Sequence, residues 1–463
     1  MNFAALLIYA TCCLAATLLP KRPTQDQFYN APSNFESQPL GTILKVRNVP
    51  NPLTSVVTPV KVKNAWQLLV RSEDTFGNPN AIVTTIVEPF AADKEKVVSY
   101  QAYEDSGKLD CSPSYAIQYG SDISTIATQA EMYFVAALLE QGYYVVIPDY
   151  EGPKSAFTVG VQAGRATLNS IRAALASHNT TGISPAAKVV MWGYSGGSLA
   201  SGWASALQPQ YAPELGPSLL GAALGGFVTN ITATAVATDG TPFAGIVANA
   251  LAGLTNEYSE LKTFLNQRVS PLLSVAFQGI DDHCLADSLV AFFGHSFFNG
   301  PVKYFRDGWN LMDMAPAKSI IEANGLIYQP KQFLPKIPIF IYHGTLDRVV
   351  PLPNSKTTFE QWCSWGLESG EFNEDASNGH ITETIVGAPA ALTWITRRFN
   401  GEQPVSGCIK SKRLSNFEYP GIAPSVLEYF KSALKAVTGA GLGSDLTKDQ
   451  ISLPGLLALL KPT

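Results

Sequence analysis

The pentapeptide Gly193-Tyr194-Ser195-Gly196-Gly197 carries the residue of this sequence that is best placed to act as a nucleophile. It matches the pattern G-x-S-x-G, follows the apolar run 188–192 and precedes a helix-compatible stretch over 198–207. A strand, a tight turn and a helix in this order form a nucleophile elbow, in which small residues two positions before and after the serine prevent clashes. We therefore predict that Ser195 attacks a carbonyl carbon. The alternative is a glycine-rich turn with an idle serine.

A serine hydroxyl is a weak nucleophile at neutral pH, so this prediction requires a histidine base and a carboxylate that orients the base. The sequence has five histidines, and in this type of fold the chain order is serine, acid, histidine. His380 lies in the loop-like sequence 377–382, after a plausible acid, and we predict that it is the base. Of the other four histidines, His178 lies at a predicted helix end, and His283 and His295 fall within a predicted inserted segment. His343 closes a predicted strand, where a packing role is expected.

The residue that orients the base is expected in a loop after a late strand. Asp347 meets this expectation, because it closes the sequence Gly344-Thr345-Leu346-Asp347 shortly after the apolar run 337–342. Glu374 and Asp375 are weaker candidates, since no predicted strand end presents them. The structural alternative is an aspartate that only caps the turn. We predict that Asp347 is the acid.

Acyl transfer also needs hydrogen-bond donors for the negative charge that develops on the carbonyl oxygen. The backbone N–H of Gly196 is one candidate. The second donor is expected in a loop after an early strand, and the sequence 103–107 follows the run 97–102. We predict that Asp105 contributes there through its amide or its side chain, the alternative being a turn-forming Asp-Ser-Gly. This chemistry requires no cofactor and no metal.

Short β-branched runs alternate with helical patterns along much of the chain, which predicts the sheet that positions these residues. Helical spacing of apolar residues covers 131–141 and 164–177. Strands that alternate with helices pair in parallel and are covered on both faces. We therefore predict an α/β-hydrolase fold with a mostly parallel sheet and helices on both faces. The predicted strands are 82–87, 97–103, 143–147, 189–192 and 337–342.

The segment 217–329 interrupts this alternation and divides the predicted hydrolase core into 61–216 and 330–407. It is rich in Ala, Leu, Phe and Gly and shows no convincing strand of the central sheet. We predict a helical cap, or lid, over the site, because the segment lies between the nucleophile and the acid; a packing subdomain is the alternative. Residues 17–60 are expected to form an extended arm without regular structure. Residues 408–463 are expected to form a helical segment near the site entrance, with helical patterns over 425–437 and 453–460.

The composition and the amino terminus indicate where the protein acts. Of 463 residues, 46% are hydrophobic and only 15% are charged, and the net charge of −5 includes no basic cluster that would bind nucleic acid. Residues 3–19 are almost wholly apolar, and we predict a signal peptide over 1–16 and secretion. A membrane anchor is the alternative, but the run is shorter than the roughly 20 residues that a spanning helix needs.

Four of the six cysteines follow this leader, an even number in a chain that enters an oxidising compartment. Three pairings are possible, and proximity along the chain favours Cys363 with Cys408, which leaves Cys111 with Cys284. No C-x-x-C pair is present, so metal ligation by sulfur is not expected. Sequons at Asn179 and Asn230 predict N-glycosylation.

The elbow, the loop 344–347, the loop 378–380 and the segment 103–115 together resemble the fungal secretory lipases, represented by the secreted lipases of Candida yeasts and, more distantly, by the lipase A type. The resemblance covers nearly the whole mature chain and shows no departure at the predicted nucleophile, acid and base. It implies hydrolysis of triacylglycerol at an oil–water interface, with a helical cap, two disulfides and an oxyanion hole from Asp105 and Gly196.

Two other functions fit the same residues. An esterase for short, soluble esters, or a peptidase, would use the same nucleophile, acid and base, because these do not fix the acyl group. A hydrolase fold that has lost activity and serves as a binding module is the reading from a different class. The presence of Ser195, Asp347 and His380 in the expected order argues against the binding module.

Overall fold

One large sheet organises the residues that the structure describes. The computed structural model describes residues 19–56 and 58–438. The predicted signal peptide and the helical pattern over 453–460 lie outside these residues. The strands are β1 (Ile43–Asn48), β2 (Thr54–Ser55), β3 (Thr58–Pro59), β4 (Asn64–Glu73), β5 (Pro79–Glu88), β6 (Asp93–Gln101), β7 (Tyr143–Pro148), β8 (Lys188–Tyr194), β9 (Leu219–Gly225), β10 (Ile339–Gly344), β11 (Ser369–Asp375) and β12 (Gly407–Arg413).

Ten of these strands form the large sheet, in the order β1-β4-β5-β7-β6-β8-β9-β10-β11-β12. The part from β7 to β12 is parallel, whereas β1, β4 and β5 extend it as antiparallel strands. Strands β2 and β3 form a separate small hairpin. The predicted α/β-hydrolase fold with a mostly parallel sheet is therefore confirmed.

Helices cover both faces of the sheet, as expected for parallel strands. Their bounds are α1 (Pro113–Ala116), α2 (Ile126–Ala130), α3 (Met132–Glu140), α4 (Gly160–Ala176), α5 (His178–Thr181), α6 (Gly196–Tyr211), α7 (Ile231–Thr238), α8 (Ala244–Glu257), α9 (Ser259–Asn266), α10 (Ser274–Gln278), α11 (Leu285–Ala291), α12 (Ala317–Ala323), α13 (Leu352–Ser364), α14 (His380–Val386), α15 (Ala388–Phe399) and α16 (Pro424–Thr438). Short 3-10 helices are Pro23–Gln25, Gln27–Tyr29, Phe35–Ser37, Leu109–Cys111, Ile123–Thr125, Pro213–Leu215, Pro271–Leu273, Gly308–Asp313, Leu326–Tyr328, Lys331–Phe333 and Asn416–Glu418.

Strand β8 shows how the two faces are filled. Successive side chains of a strand point to opposite faces. Val189 and Met191 accordingly belong to the core that contains α4 and α6. Val190 and Trp192 belong to the core on the other face, with α3 and α15. Burial on both faces explains why this strand is apolar at every central position.

The five predicted strands all form, but the prediction for 217–329 is wrong at its start. Residues Leu219–Gly225 form β9, which pairs in parallel with β8 and β10 at the centre of the sheet. Its sequence, Leu-Leu-Gly-Ala-Ala-Leu-Gly, contains no β-branched or aromatic residue and therefore has no strand signal of its own. Burial between two strands overrides this weak propensity.

Both ends of the sheet also correct the sequence prediction. Ile43–Asn48, expected within an extended arm, forms β1 and pairs antiparallel with β4. Gly407–Arg413, expected at the start of a helical segment, forms β12 and pairs with β11. Edge strands are partly exposed and often carry charges, so their patterns mix Lys and Arg with apolar residues and are difficult to recognise. Further along the chain, α16 forms where the helical pattern over 425–437 predicts it.

Residues 226–338, between β9 and β10, contain α7 to α12 and are called the insertion below. Two disulfides connect chain segments that are distant in sequence, in the pairing that the sequence favours. Cys111–Cys284 joins the segment after β6 to the insertion, and Cys363–Cys408 joins α13 to β12. None of the helices in 19–56 and 58–438 has the length and apolar character needed to cross a bilayer.

Candidate active site

Ser195 lies on the turn between β8 and α6, where its backbone is strained. Its φ of 51° and ψ of −122° are unfavourable for a residue with a side chain. The neighbouring glycines make the turn possible, because a Cβ on Gly193 would overlap the backbone of Gly197, and a Cβ on Gly197 would overlap Gln101. The turn thus presents the Ser195 hydroxyl above the carboxyl end of β8.

His380 is the first residue of α14 and follows the loop after β11. Its Nε2 lies 2.9 Å from Ser195 Oγ, and its Nδ1 lies 2.7 Å from Asp347 Oδ2. The Tyr194 ring lies 5.1 Å from the His380 ring, and the Tyr194 hydroxyl donates to the His380 carbonyl over 2.6 Å. The three predicted residues therefore form one hydrogen-bonded chain.

Asp347 follows β10 and has no exposed side-chain surface. Its Oδ1 accepts the backbone N–H groups of Val349 and Val350, over 2.9 and 2.7 Å. Burial alone would raise the pKa of Asp347, but the charge of His380 and hydrogen bonds from His343 and His380 lower it well below its usual range. Asp347 is thus held as a carboxylate that faces the His380 ring.

His343 is a second histidine on the same carboxylate, which sequence reasoning assigned to packing. It is fully buried, and its Nε2 lies 3.2 Å from Asp347 Oδ2 and 2.9 Å from the Val350 carbonyl oxygen. Two acceptors around Nε2 favour the tautomer that carries the proton there. The spacing His343-x-x-x-Asp347 at the end of a strand is the signal that was available in the sequence.

The weaker candidates have other structural roles. Glu374 forms an ion pair with Lys356 at 2.6 Å. Asp375 accepts the backbone N–H groups of Ser377 and Asn378, over 2.9 and 3.0 Å, and so anchors the loop that leads to His380. The remaining histidines contact other partners: His178 contacts the Ile183 carbonyl, His283 contacts Asp287, and His295 contacts the Tyr304 hydroxyl.

Asp105 lies directly against Gly196. It follows β6 with a φ of +49°, and a Cβ on Gly196 would overlap the Asp105 carboxyl group. Burial raises the pKa of Asp105 to about 7, although the charge of His380 opposes this shift. Burial and nearby carboxylates also raise the pKa of Glu104 and of Glu151. Below that pKa the carboxyl group of Asp105, beside Gly196, is neutral and has a proton to donate.

An almost wholly apolar cavity opens at Ser195 and extends beneath the insertion. Asp105, Ser195 and Gly196 form its end at the elbow. A second apolar cavity follows on and shares Ile231, Ala235, Val247 and Ala250 with the first. Its far end is lined by residues of the insertion that include Leu254, Leu261, Leu265, Phe298, Leu311 and Ile321.

The two predicted glycosylation sites differ in their surroundings. Asn179 is exposed on α5. Asn230 is the N-cap of α7, where its Oδ1 accepts the Ala233 N–H over 3.0 Å. Its Nδ2, the atom to which a glycan would be attached, lies 3.1 Å from Asn354 Oδ1. Asn179 therefore stays a predicted glycosylation site, whereas the side chain of Asn230 is used inside the fold.

A parallel sheet that presents a serine on the turn after one strand, and an aspartate and a histidine after two later strands, is the arrangement of α/β-hydrolases with a serine nucleophile. Residues 117–407 match the model of the secretory lipase family, and the chain belongs to that family.

Individual relatives cover almost the whole chain. It is 62% identical to Lipase 4 and 58% identical to Lipase 5 of Candida albicans, in each case over 96% of both chains. Among solved structures, it is similar to Candida antarctica lipase A in its closed state, with a TM-score of 0.79 and 28% identity over 93% of this chain and 98% of that one.

Proposed function

We propose that this protein is a secreted triacylglycerol lipase that works through an acyl-enzyme on Ser195. The observation that carries the proposal is the hydrogen-bonded chain from Ser195 through His380 to Asp347, with Ser195 at an apolar cavity that adjoins a second one. The names of the relatives support lipase activity. The family description and the two disulfides, which suit an oxidising compartment, support secretion.

The first half of the reaction follows from the distances. His380 Nε2 accepts the Ser195 hydroxyl proton while Oγ attacks the ester carbonyl, and Asp347 stabilises the imidazolium that forms. Gly196 and Asp105 stabilise the oxyanion of the tetrahedral intermediate by hydrogen bonds. His380 then gives the proton to the departing alcohol, which leaves the acyl group on Ser195.

The second half returns the protein to its starting state. His380 takes a proton from water, the hydroxide oxygen attacks the acyl carbonyl, and the fatty acid leaves as Ser195 regains its proton. The acid and the base thus alternate on one imidazole ring, and this chain of steps consumes only water and ester.

The shape and chemistry of the cavity favour a long acyl chain. Burial of each methylene contributes about 0.8 kcal/mol, so an apolar cavity that continues past the elbow selects fatty acyl groups over acetyl groups. The insertion carries apolar side chains that are exposed, including Val236, Leu272 and Val275 at 56%, 82% and 80%. These side chains suit contact with an oil surface and support the proposal that the insertion acts as a lid.

The test is release of fatty acid from emulsified triolein and from tributyrin by the purified protein. We expect the wild type to cleave both, and Ser195→Ala to lose at least about 10⁴-fold in rate because the substitution removes the hydroxyl that would carry the acyl group. Ser364→Ala, at an exposed serine on α13, is the matched control and keeps full activity.

The two substrates separate the lipase from its alternatives. Cleavage of tributyrin alone identifies an esterase for short acyl groups. Absence of cleavage of both substrates by the folded wild type favours a binding module. Equal turnover of monomeric and emulsified substrate at the same total concentration argues against opening of the insertion at an interface.

A further inference from the structure

We infer that helix α8 of the insertion holds the oxyanion loop, residues 104–108, in its active conformation, and that Asn249 and Asn256 are the positioning residues. This inference rests on the proposed role of Asp105 in stabilising the oxyanion. Neither asparagine contacts the reacting atoms. Both act on the backbone of the loop that carries Asp105.

Asn249 fixes the carbonyl group of Asp105. Its Nδ2 donates to the Asp105 carbonyl oxygen over 2.7 Å, and the residue has no exposed surface. Asp105 has a φ of +49°, so its conformation persists only where surrounding contacts stabilise it. Asn249 Oδ1 is buried without a hydrogen-bond partner among the described residues, which is a cost that an apolar side chain would avoid. The presence of an amide at this buried position therefore indicates that its hydrogen bond to the Asp105 carbonyl oxygen is functionally important.

Asn256 repeats the contact two turns later on the same helix. Its Nδ2 donates to the Gly107 carbonyl oxygen over 2.8 Å. Between the two asparagines, Ala252 contacts Gly107 so closely that a Cβ on the glycine would overlap it. Residues spaced three and four apart share one helix face. Asn249, Ala252 and Asn256 therefore form one stripe of α8 that follows the oxyanion loop.

A second part of the insertion holds the same loop. Ser106 Oγ donates to the His283 carbonyl oxygen over 2.8 Å, and Lys108 Nζ donates to the Asp282 carbonyl oxygen over 2.7 Å. The disulfide Cys111–Cys284 adds a covalent link between the two chain segments. Cys111 lies three residues after the oxyanion loop, and Cys284 directly follows His283. The loop is therefore enclosed by contacts from two segments of the insertion.

Helix α8 also lines the apolar cavity, through Ile246, Val247 and Ala250. One helix thus contacts the space proposed for the acyl chain and fixes the loop that stabilises the oxyanion. A displacement of α8 would disturb both at once. If the insertion opens to admit substrate without moving α8, the oxyanion loop keeps its active conformation. If α8 moves during opening, the loop regains that conformation only when α8 returns.

The experiment compares p-nitrophenyl acetate with p-nitrophenyl palmitate for the wild type, Asn249→Leu and Asn266→Leu. Leucine is close in size to asparagine and cannot donate, whereas Asn266 is exposed on α9 and serves as the control. We expect kcat of Asn249→Leu to fall at least about tenfold, by the same factor for both esters, because small displacements of catalytic groups are costly. KM is expected to change by less than about twofold, and Asn266→Leu to behave like the wild type.

An unchanged kcat overturns the inference. A loss confined to the palmitate ester also overturns it, and would instead place the effect of Asn249 on the acyl cavity. If Asn249→Leu does not fold, Asn256→Ala decides by the same criterion, since its side chain is only half-buried and lies outside the lined cavity. Failure of the proposed function looks different, because in that case the wild type itself does not cleave the long-chain ester, or Ser195→Ala retains activity. If Asn249→Leu is fully active and Ser195→Ala is inactive, the positioning role of Asn249 is overturned, whereas the proposed function stands.

Discussion

In the proposed mechanism, Asp105 places a titratable carboxyl group where the reaction develops a negative charge. An ionised carboxylate there would repel the oxyanion, whereas a neutral carboxyl group can donate a hydrogen bond to it. Burial raises the pKa of Asp105 to about 7, so the neutral form predominates in mildly acidic solution. In that mechanism, the Asp105 side chain stabilises the oxyanion at acidic pH and destabilises it at alkaline pH.

This direction of the pH dependence predicts how Asp105→Asn differs from the wild type. The carboxyl group has its proton below its pKa and loses it as the pH rises, so kcat of the wild type should decline as the pH rises through about 7. Asparagine donates at every pH and does not ionise, so the variant should retain its activity over that range. The measurement is kcat for p-nitrophenyl butyrate from pH 5 to pH 9.

Asp313→Asn, at an exposed aspartate of the insertion, is the control for that profile and should decline like the wild type. If Asp105→Asn shows the same alkaline decline as the wild type, the carboxyl group of Asp105 does not donate to the oxyanion.

The sequence predicts those site residues whose chemical type and chain order the reaction dictates. Ser195, Asp347 and His380 belong to this class, since few histidines compete and strand ends are recognisable. His343 and Asn249 do not belong to it. Asn249 lies 144 positions from Asp105, and only the folded chain shows that its amide contacts that carbonyl group.

At the scale of elements, strand prediction worked where a strand is buried on both faces and β-branched. It failed for β11, whose residues Ser369–Asp375 are all buried although most of them are polar. Glu371 accepts the Trp394 Nε1–H over 3.0 Å, and Arg413 donates to Asn373 over 2.7 Å. Such partners make burial of polar residues acceptable, but they come from distant parts of the chain and leave no local pattern.

Helix α7 offers a test of the acyl cavity that is independent of α8. Ala235 lines both apolar cavities, so Ala235→Phe should narrow the passage between them. We expect the ratio of kcat/KM for palmitate over butyrate esters to fall at least about tenfold, because several methylenes lose their burial. The butyrate ester alone should be affected little.

Ala323→Phe, at an exposed position of α12, is the control and should leave the ratio unchanged. An equal loss for both esters would mean that the variant disturbs the elbow. An unchanged ratio would mean that the acyl chain takes another path.

At the scale of the whole molecule, the sheet and the insertion form one functional unit. The sheet presents Ser195, Asp347 and His380 at the carboxyl ends of three parallel strands, and the insertion supplies the apolar cavity. The disulfide Cys111–Cys284 and helix α8 fix the insertion to the loop that carries Asp105. The sequence predicts a core and a cap, but it does not reveal that residues of both surround the proposed oxyanion site.

An alkyl phosphonate p-nitrophenyl ester tests directly whether Ser195 carries the acyl group. The reagent transfers its phosphonyl group to an activated serine, and intact-mass and peptide analysis locate the adduct. We predict one phosphonyl group per molecule, on Ser195, with loss of triolein hydrolysis in proportion to labelling and no labelling of Ser195→Ala. An adduct on a different residue, or full hydrolysis by completely labelled protein, would show that Ser195 is not the nucleophile.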